Sequence, residues 1–164
     1  MKKIVVINGT GGCGKDTFVE FCSKYASVYN FSSIDKVKEV AKVIGWTGSK
    51  SDKDRRFLSD LKKLTTEYND MAFNSIIDAV NKFNSGSDDI MFIHIREPEE
   101  IKRVVDKFGA LSLLIKRENQ NKIISNYSDA SVDNYNYDYV IINTTLEKYE
   151  KEAKKFVKEL MYDK

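Results

Sequence analysis

Ile4-Val5-Val6-Ile7-Asn8-Gly9-Thr10-Gly11-Gly12-Cys13-Gly14-Lys15-Asp16-Thr17-Phe18 is the stretch that decides how the chain folds. Its first four residues are apolar and β-branched, as a parallel strand buried on both faces requires. A glycine-rich turn follows from Gly9 to Gly14. Phe18, Phe21, Cys22, Tyr25 and Ala26 then recur at helical spacing. A strand, a glycine turn and a helix that opens on lysine form the setting of a phosphate-binding loop, or P-loop. The glycines permit backbone angles that aim successive N–H groups into one hollow. The helix N-terminus adds partial positive charge there. Lys15 adds a full positive charge for β- and γ-phosphates.

Gly9, Thr10, Gly11, Gly12, Cys13, Gly14, Lys15, Asp16 and Thr17 are therefore the expected nucleotide-binding residues, with ATP as the nucleotide. Ser or Thr usually follows the lysine and places its hydroxyl on Mg²⁺. Here Asp16 stands there, with Thr17 next. A carboxylate is also a hard oxygen ligand, so Asp16 and Thr17 are the expected Mg²⁺ side. Two alternatives stay open: a simple glycine turn, and a loop that binds nucleotide without Mg²⁺ chemistry.

Length and composition set the frame. The 164 residues suit one domain, and a 41% hydrophobic content with 32% charged residues can fill a core. Lys and Arg number 27 against 25 Asp and Glu, a net charge of +2 that gives no reason to expect nucleic acid or a membrane surface as partner. No apolar run nears the ~18 residues of a membrane helix. Only four apolar residues follow Met1-Lys2-Lys3, too few for a secretion signal. Cys13 and Cys22 form no spaced metal set and read as reduced thiols, so a cytoplasmic location is expected.

Strands and helices alternate along the rest of the chain. Further strands are expected over Val28–Ser33, Ile90–Ile95, Leu111–Ile115 and Tyr139–Ile142. Val37, Val40, Ala41 and Ile44 mark a short helix stopped at Gly45. Phe57, Leu61, Leu64, Tyr68 and Met71 form one apolar stripe, and Phe73, Ile76, Ile77, Val80 and Phe83 another. The phase slips between Asn69 and Phe73, which predicts a kink or two helices. Pro98 opens a helix that Gly109 closes. Thr144-x-x-Glu147 reads as a capping box before the last helix. The order predicts an α/β fold: a five-stranded parallel sheet with helices on both faces, and ligands beyond the carboxyl ends of the strands.

The variant Gly14-Lys15-Asp16-Thr17 resembles the loop of phage-type deoxynucleoside monophosphate kinases, a form also found in animal-type phosphomevalonate kinases. The layout is similar to that of nucleoside monophosphate kinases along nearly the whole chain. This implies a three-layer P-loop NTP hydrolase fold with a short lid. Residues 1–164 would be one kinase domain, with an acceptor-binding helical region at about 35–85 and a lid at about 117–136. It also implies transfer of the ATP γ-phosphoryl group to a nucleoside or deoxynucleoside monophosphate, by a monomer or homodimer. A non-nucleotide acceptor, of phosphomevalonate or dephospho-coenzyme A type, and a nucleotide-sensing module without turnover are the alternatives.

The resemblance places further residues. Asp35 and Lys38 follow the second strand and are acceptor-side candidates; a helix cap and a solvated face are their plainer readings. His94-Ile95-Arg96 stands where the phage-type kinases resemble it with Asp-x-Arg. Arg96 matches that arginine and suits bidentate contact with phosphate, or a salt bridge to Glu97 or Glu99. His94 replaces the aspartate and reads as a hydrogen-bonded core residue, and Glu97 could supply the missing carboxylate. Arg117, with Lys116 and Lys122, would serve the lid, and Arg96 and Arg117 would neutralise the migrating group. Arg55 or Arg56 would grip the acceptor phosphate, against the common solvated-face reading. Asn143, Thr144 and Thr145 lie where related kinases place adenine.

Overall fold

The computed structural model describes residues 1–118 and 131–162. In chain order these form β1 (Lys3–Asn8), α1 (Lys15–Ser23), β2 (Val28–Ser32), α2 (Asp35–Ile44), α3 (Asp52–Asn69), α4 (Met71–Ser85), β3 (Ile90–His94), α5 (Pro98–Phe108), β4 (Leu111–Arg117), β5 (Tyr139–Asn143) and α6 (Leu146–Tyr162). The strands pair in parallel in the order β2-β3-β1-β4-β5. The three-layer α/β fold expected from the sequence is the fold observed.

Alternation along β1 shows why this strand is central. Val5, Val6 and Ile7 are wholly buried, and their side chains divide between two cores. Val5 and Ile7 join the core formed with α1 and α6, where Phe18, Phe92, Tyr149 and Phe156 meet. Val6 joins the opposite core with Phe73, Ile76, Phe83 and Ile101 from α4 and α5. A smaller cluster of Val37, Ala41 and Leu61 holds α2 to α3. Among the described residues no helix is long and apolar enough to cross a membrane.

The phase slip near Asn69 is a break between two helices. Asp70 adopts a left-handed conformation (φ 55°), and its N–H still reaches the carbonyl of Thr66. Its carboxylate takes both arms of Arg103 at 3.0 and 2.6 Å. The same guanidinium lies 3.7 Å from the centre of the Phe73 ring. The break is thereby tied to α5.

Some expectations need correction. Leu64 and Tyr68 continue the stripe of Leu61, yet they are 64% and 85% exposed. The stripe runs the length of the 18-residue α3, whereas α2 has only 10 residues to cover it. Tyr25 lies past the end of α1 and is partly exposed, its hydroxyl beside Glu150. The cap of α6 is Thr145, whose hydroxyl accepts from the Lys148 N–H at 3.4 Å; the capping box was expected one residue earlier. The lid expected at 117–136 falls largely on residues 119–130, which lie outside the described residues, as does Lys122.

Two stability measurements follow from this packing. Phe18 is wholly buried against the rings of Phe92, Tyr149 and Phe156. Phe18→Ala should cost about 3–5 kcal/mol in urea unfolding. The Arg103 hydrogen bonds hold the Asp70 pKa below its ordinary 3.8. A depressed carboxylate stabilises above its unfolded pKa and loses that stabilisation as pH falls through the folded value. Asp70→Asn should therefore be less stable than the parent at neutral pH, with the difference shrinking as the pH drops below 3.8.

Candidate functional site

The loop between β1 and α1 sits at the carboxyl ends of the strands, pressed against β4, β5 and α6. Two of its glycines are dictated by this closeness. A Cβ on Gly9 would lie 2.5 Å from Cys13 Sγ and 2.6 Å from the Ile115 carbonyl oxygen. A Cβ on Gly14, at φ 101°, would lie 2.5 Å from the Asn143 side-chain nitrogen and 3.3 Å from the Tyr149 ring. Those neighbours hold the loop from behind. Asn143 Nδ2 donates to the Cys13 carbonyl at 3.0 Å, and the wholly buried Tyr149 donates its hydroxyl to the Gly14 carbonyl at 2.8 Å.

Lys15 lies across the loop. Its Nζ donates to the carbonyls of Gly9 (2.7 Å) and Thr10 (3.2 Å). Arg117, at the end of β4, donates to the Gly12 carbonyl at 3.2 Å. A cavity of about 370 Å³ opens at this point. It is lined by Gly12, Gly14, Lys15, Asp16 and Thr17 from the loop and α1, by Arg117 and Asn143 from β4 and β5, and by Thr144 and Leu146.

These residues fit a triphosphate. The loop offers cations and a helix start, and its glycines leave the space a side chain would fill. They also fit Mg²⁺, since the Asp16 carboxylate and Thr17 hydroxyl share the cavity. Among the described residues no group of three His, Cys, Asp or Glu side chains could hold a metal. One or two protein oxygens with phosphates and water is the usual Mg²⁺ arrangement.

The far side of the loop carries a mixed set of charges. His94 Nε2 lies 2.8 Å from Asn30 Oδ1 on the neighbouring β2. Burial pushes its pKa below the ordinary 6.5; Asp16 and Asp35 pull it up, and Lys15 and Arg96 push it down. The imidazole is therefore neutral at pH 7, and four sequence-selected charged groups act on it. Asp35 is the first residue of α2, and its carboxylate accepts from the Ser32 N–H at 3.2 Å. Lys38 is half-buried on the next turn. Arg55 and Arg56 are exposed near the start of α3, and Arg56 lies 4.0 Å from Asp60 on its own helix. Cys13 and Cys22 are free thiols, both buried. Burial pushes both up, Cys22 to about 12, so neither is a ready nucleophile.

Sequence reasoning missed Lys62, Glu100, Asn8 and Tyr149 as partners, and it expected other roles for Glu97 and Asn143, which instead bond Lys62 and the Cys13 carbonyl. Glu97 and Glu100 converge on Lys62 of α3, at 2.9 and 2.7 Å. Burial works against the Lys62 ammonium, and the two carboxylates more than reverse it, holding its pKa above the usual lysine value. The partners stand 35 and 38 residues apart, so no local spacing reveals them. Asn8, Asn143 and Tyr149 also act on the loop. Asn8 left a local trace as a polar residue closing an apolar strand, and Asn143 one by its place at the end of the fifth strand.

Neither a protein-family model nor a curated protein matches the sequence. Among solved structures the chain is similar to TT1252 from Thermus thermophilus, with a TM-score of 0.55 and 17% identity over 98% of each chain. An uncharacterized protein from Eubacterium ventriosum gives 0.53 and 15%, over 97% of this chain and 99% of that one. Shikimate kinase from Aquifex aeolicus aligns at 0.49 and 12%, over 98% and 99%. At such identities the first two establish the likeness of the fold, along essentially the whole chain.

The site makes one direct prediction. Lys15→Met should keep a cooperative thermal transition but lose the rise in Tm that ATP gives the parent protein, read by scanning calorimetry. An undiminished rise would show that ATP does not bind at this loop.

Proposed function

We propose that the protein is a small-molecule kinase that transfers the γ-phosphoryl group of ATP to a nucleoside or deoxynucleoside monophosphate. One observation carries the reading: carbonyls of the loop of residues 9–14 hold the Lys15 ammonium beside a cavity that Arg117 also lines. Phosphoryl transfer passes through a loose, highly charged transition state, so positioning and charge neutralisation supply most of the catalysis. Lys15 and the loop amides would hold the donor phosphates. Asp16 and Thr17 would hold Mg²⁺, which would supply further neutralisation of the phosphate charge. Thr144 and Leu146 would border the nucleoside end of ATP. Arg96 and Arg117 would neutralise the migrating group.

The acceptor would lie beyond β2 and β3, between Asp35, Lys38, His94 and Arg96, under the helical region at 35–85. A phosphate acceptor is already ionised at neutral pH and needs no general base, which agrees with a neutral His94. Arg55 and Arg56 would come to the acceptor phosphate from α3. Their exposure favours a second reading, a non-nucleotide acceptor. A hydroxyl acceptor of that kind would have Asp35 at hand to take its proton. In both readings the partners are small molecules.

Coupled ADP release with Mg²⁺, run across nucleoside monophosphates and non-nucleotide alcohols and phosphates, tests the proposal and separates the readings. Acceptor-dependent ADP from a monophosphate is expected. Arg96→Ala should lower its kcat by about 100-fold while leaving the ATP-induced rise in Tm. ATP binding without ADP release from any acceptor would leave a sensor in place of an enzyme.

A further inference from the structure

Asn8 ends β1 with no exposure at all, and its amide is fully engaged. Oδ1 accepts from the Gly9 N–H at 2.8 Å. Nδ2 donates to the Arg96 carbonyl at 3.2 Å and to the Tyr137 hydroxyl at 2.8 Å. Turning the amide over would set two donors against each other at Gly9 and two acceptors at Arg96, so its orientation is fixed. The Tyr137 hydroxyl has one proton, and it goes to the Val132 carbonyl at 2.7 Å. Burial raises the Tyr137 pKa to about 12, so that proton stays in place at neutral pH.

One side-chain amide thus touches three separate segments. Gly9 opens the phosphate loop and accepts Lys15 at its carbonyl. Arg96 follows β3 on the acceptor side. Val132 to Tyr137 leads into β5. This last segment has its own anchor, because the Asp138 carboxylate accepts from the Ser112 N–H and hydroxyl, both at 2.8 Å. Removing the Tyr137 hydroxyl therefore leaves the segment attached to β4.

We propose that Asn8 and Tyr137 form a positioning pair that fixes the phosphate loop and the Arg96 turn relative to each other. The proposal rests on the kinase reading for its catalytic consequence, but its geometric content stands apart from turnover. A donor phosphate held by the loop and an acceptor held near Arg96 must meet in line, and small displacements are expensive in rate.

The test uses Tyr137→Phe, Asn8→Ala and the double variant in the full chain. Tyr137→Phe should fold, keep the ATP-induced rise in Tm and lose about tenfold in kcat with the acceptor KM unchanged. The double variant should be no slower than Asn8→Ala alone, because the two side chains act as one unit. Parent-like kcat in Tyr137→Phe, or losses that multiply in the double variant, would overturn the proposal; if Asn8→Ala does not fold, Tyr137→Phe decides. Amide NMR gives a readout that needs no turnover. In Tyr137→Phe the Gly9 N–H and the Glu97 N–H, which shares its peptide group with the Arg96 carbonyl, should both shift. Shifts confined to residues 131–138 would refute the pair. A parent protein that showed these shifts in the variant but no turnover would sink the kinase reading and leave the pair standing.

Discussion

The structure depends on how closely the phosphate loop is pressed into its scaffold. At Gly9 the backbone meets the Ile115 carbonyl of β4 and the Cys13 sulfur, and at Gly14 it meets Asn143 and Tyr149. There is no room for a Cβ at either point. The loop is consequently shaped from outside, by β4, β5 and α6 as much as by its own glycines. Bonds from Asn143 and Tyr149 engage the carbonyls of Cys13 and Gly14 on that side. A preformed hollow binds an anion without first paying to order the loop.

The charges around this hollow are sorted by position. Lys15 and Arg117 line the cavity together with Asp16 and Thr17. Toward β2 and β3 the signs mix, with Asp16, Lys15, Asp35 and Arg96 acting on a neutral His94. Cations beside a region of mixed charge suit the proposed phosphoryl transfer, in which charge must be balanced throughout.

Two ion-pair clusters join the helical region to α5 and the turn before it. Lys62 reaches Glu97 and Glu100 in a largely buried cluster, and Asp70 takes both arms of Arg103. Buried ion pairs repay little of their desolvation as net stability, yet breaking one partner leaves an unpaired buried charge. Their geometric effect is plain: α3, α4 and α5 are held in fixed relation, and Glu97 directly follows Arg96. The region expected to handle the acceptor is thereby locked to the turn that carries that arginine.

The sequence by itself determined the glycine loop before Lys15, the five strands, an interruption of the helix near Asn69 and the α/β class. Each of these rests on neighbours in the chain: glycine freedom, β-branched runs and helical period are local properties. It also named the groups that act on His94, Lys15 and Asp16 through the glycine loop, and Asp35 and Arg96 through the resemblance. Tertiary structure alone decided the strand order, the exposure of Leu64 and Tyr68, and the contacts of Asn8, Lys62, Asn143 and Tyr149. Asn143 meets the loop across 130 residues and Tyr149 across 135. Periodicity cannot report such pairs, because a hydrogen bond or a covering helix is fixed by where the sheet brings distant segments together, not by spacing along the chain.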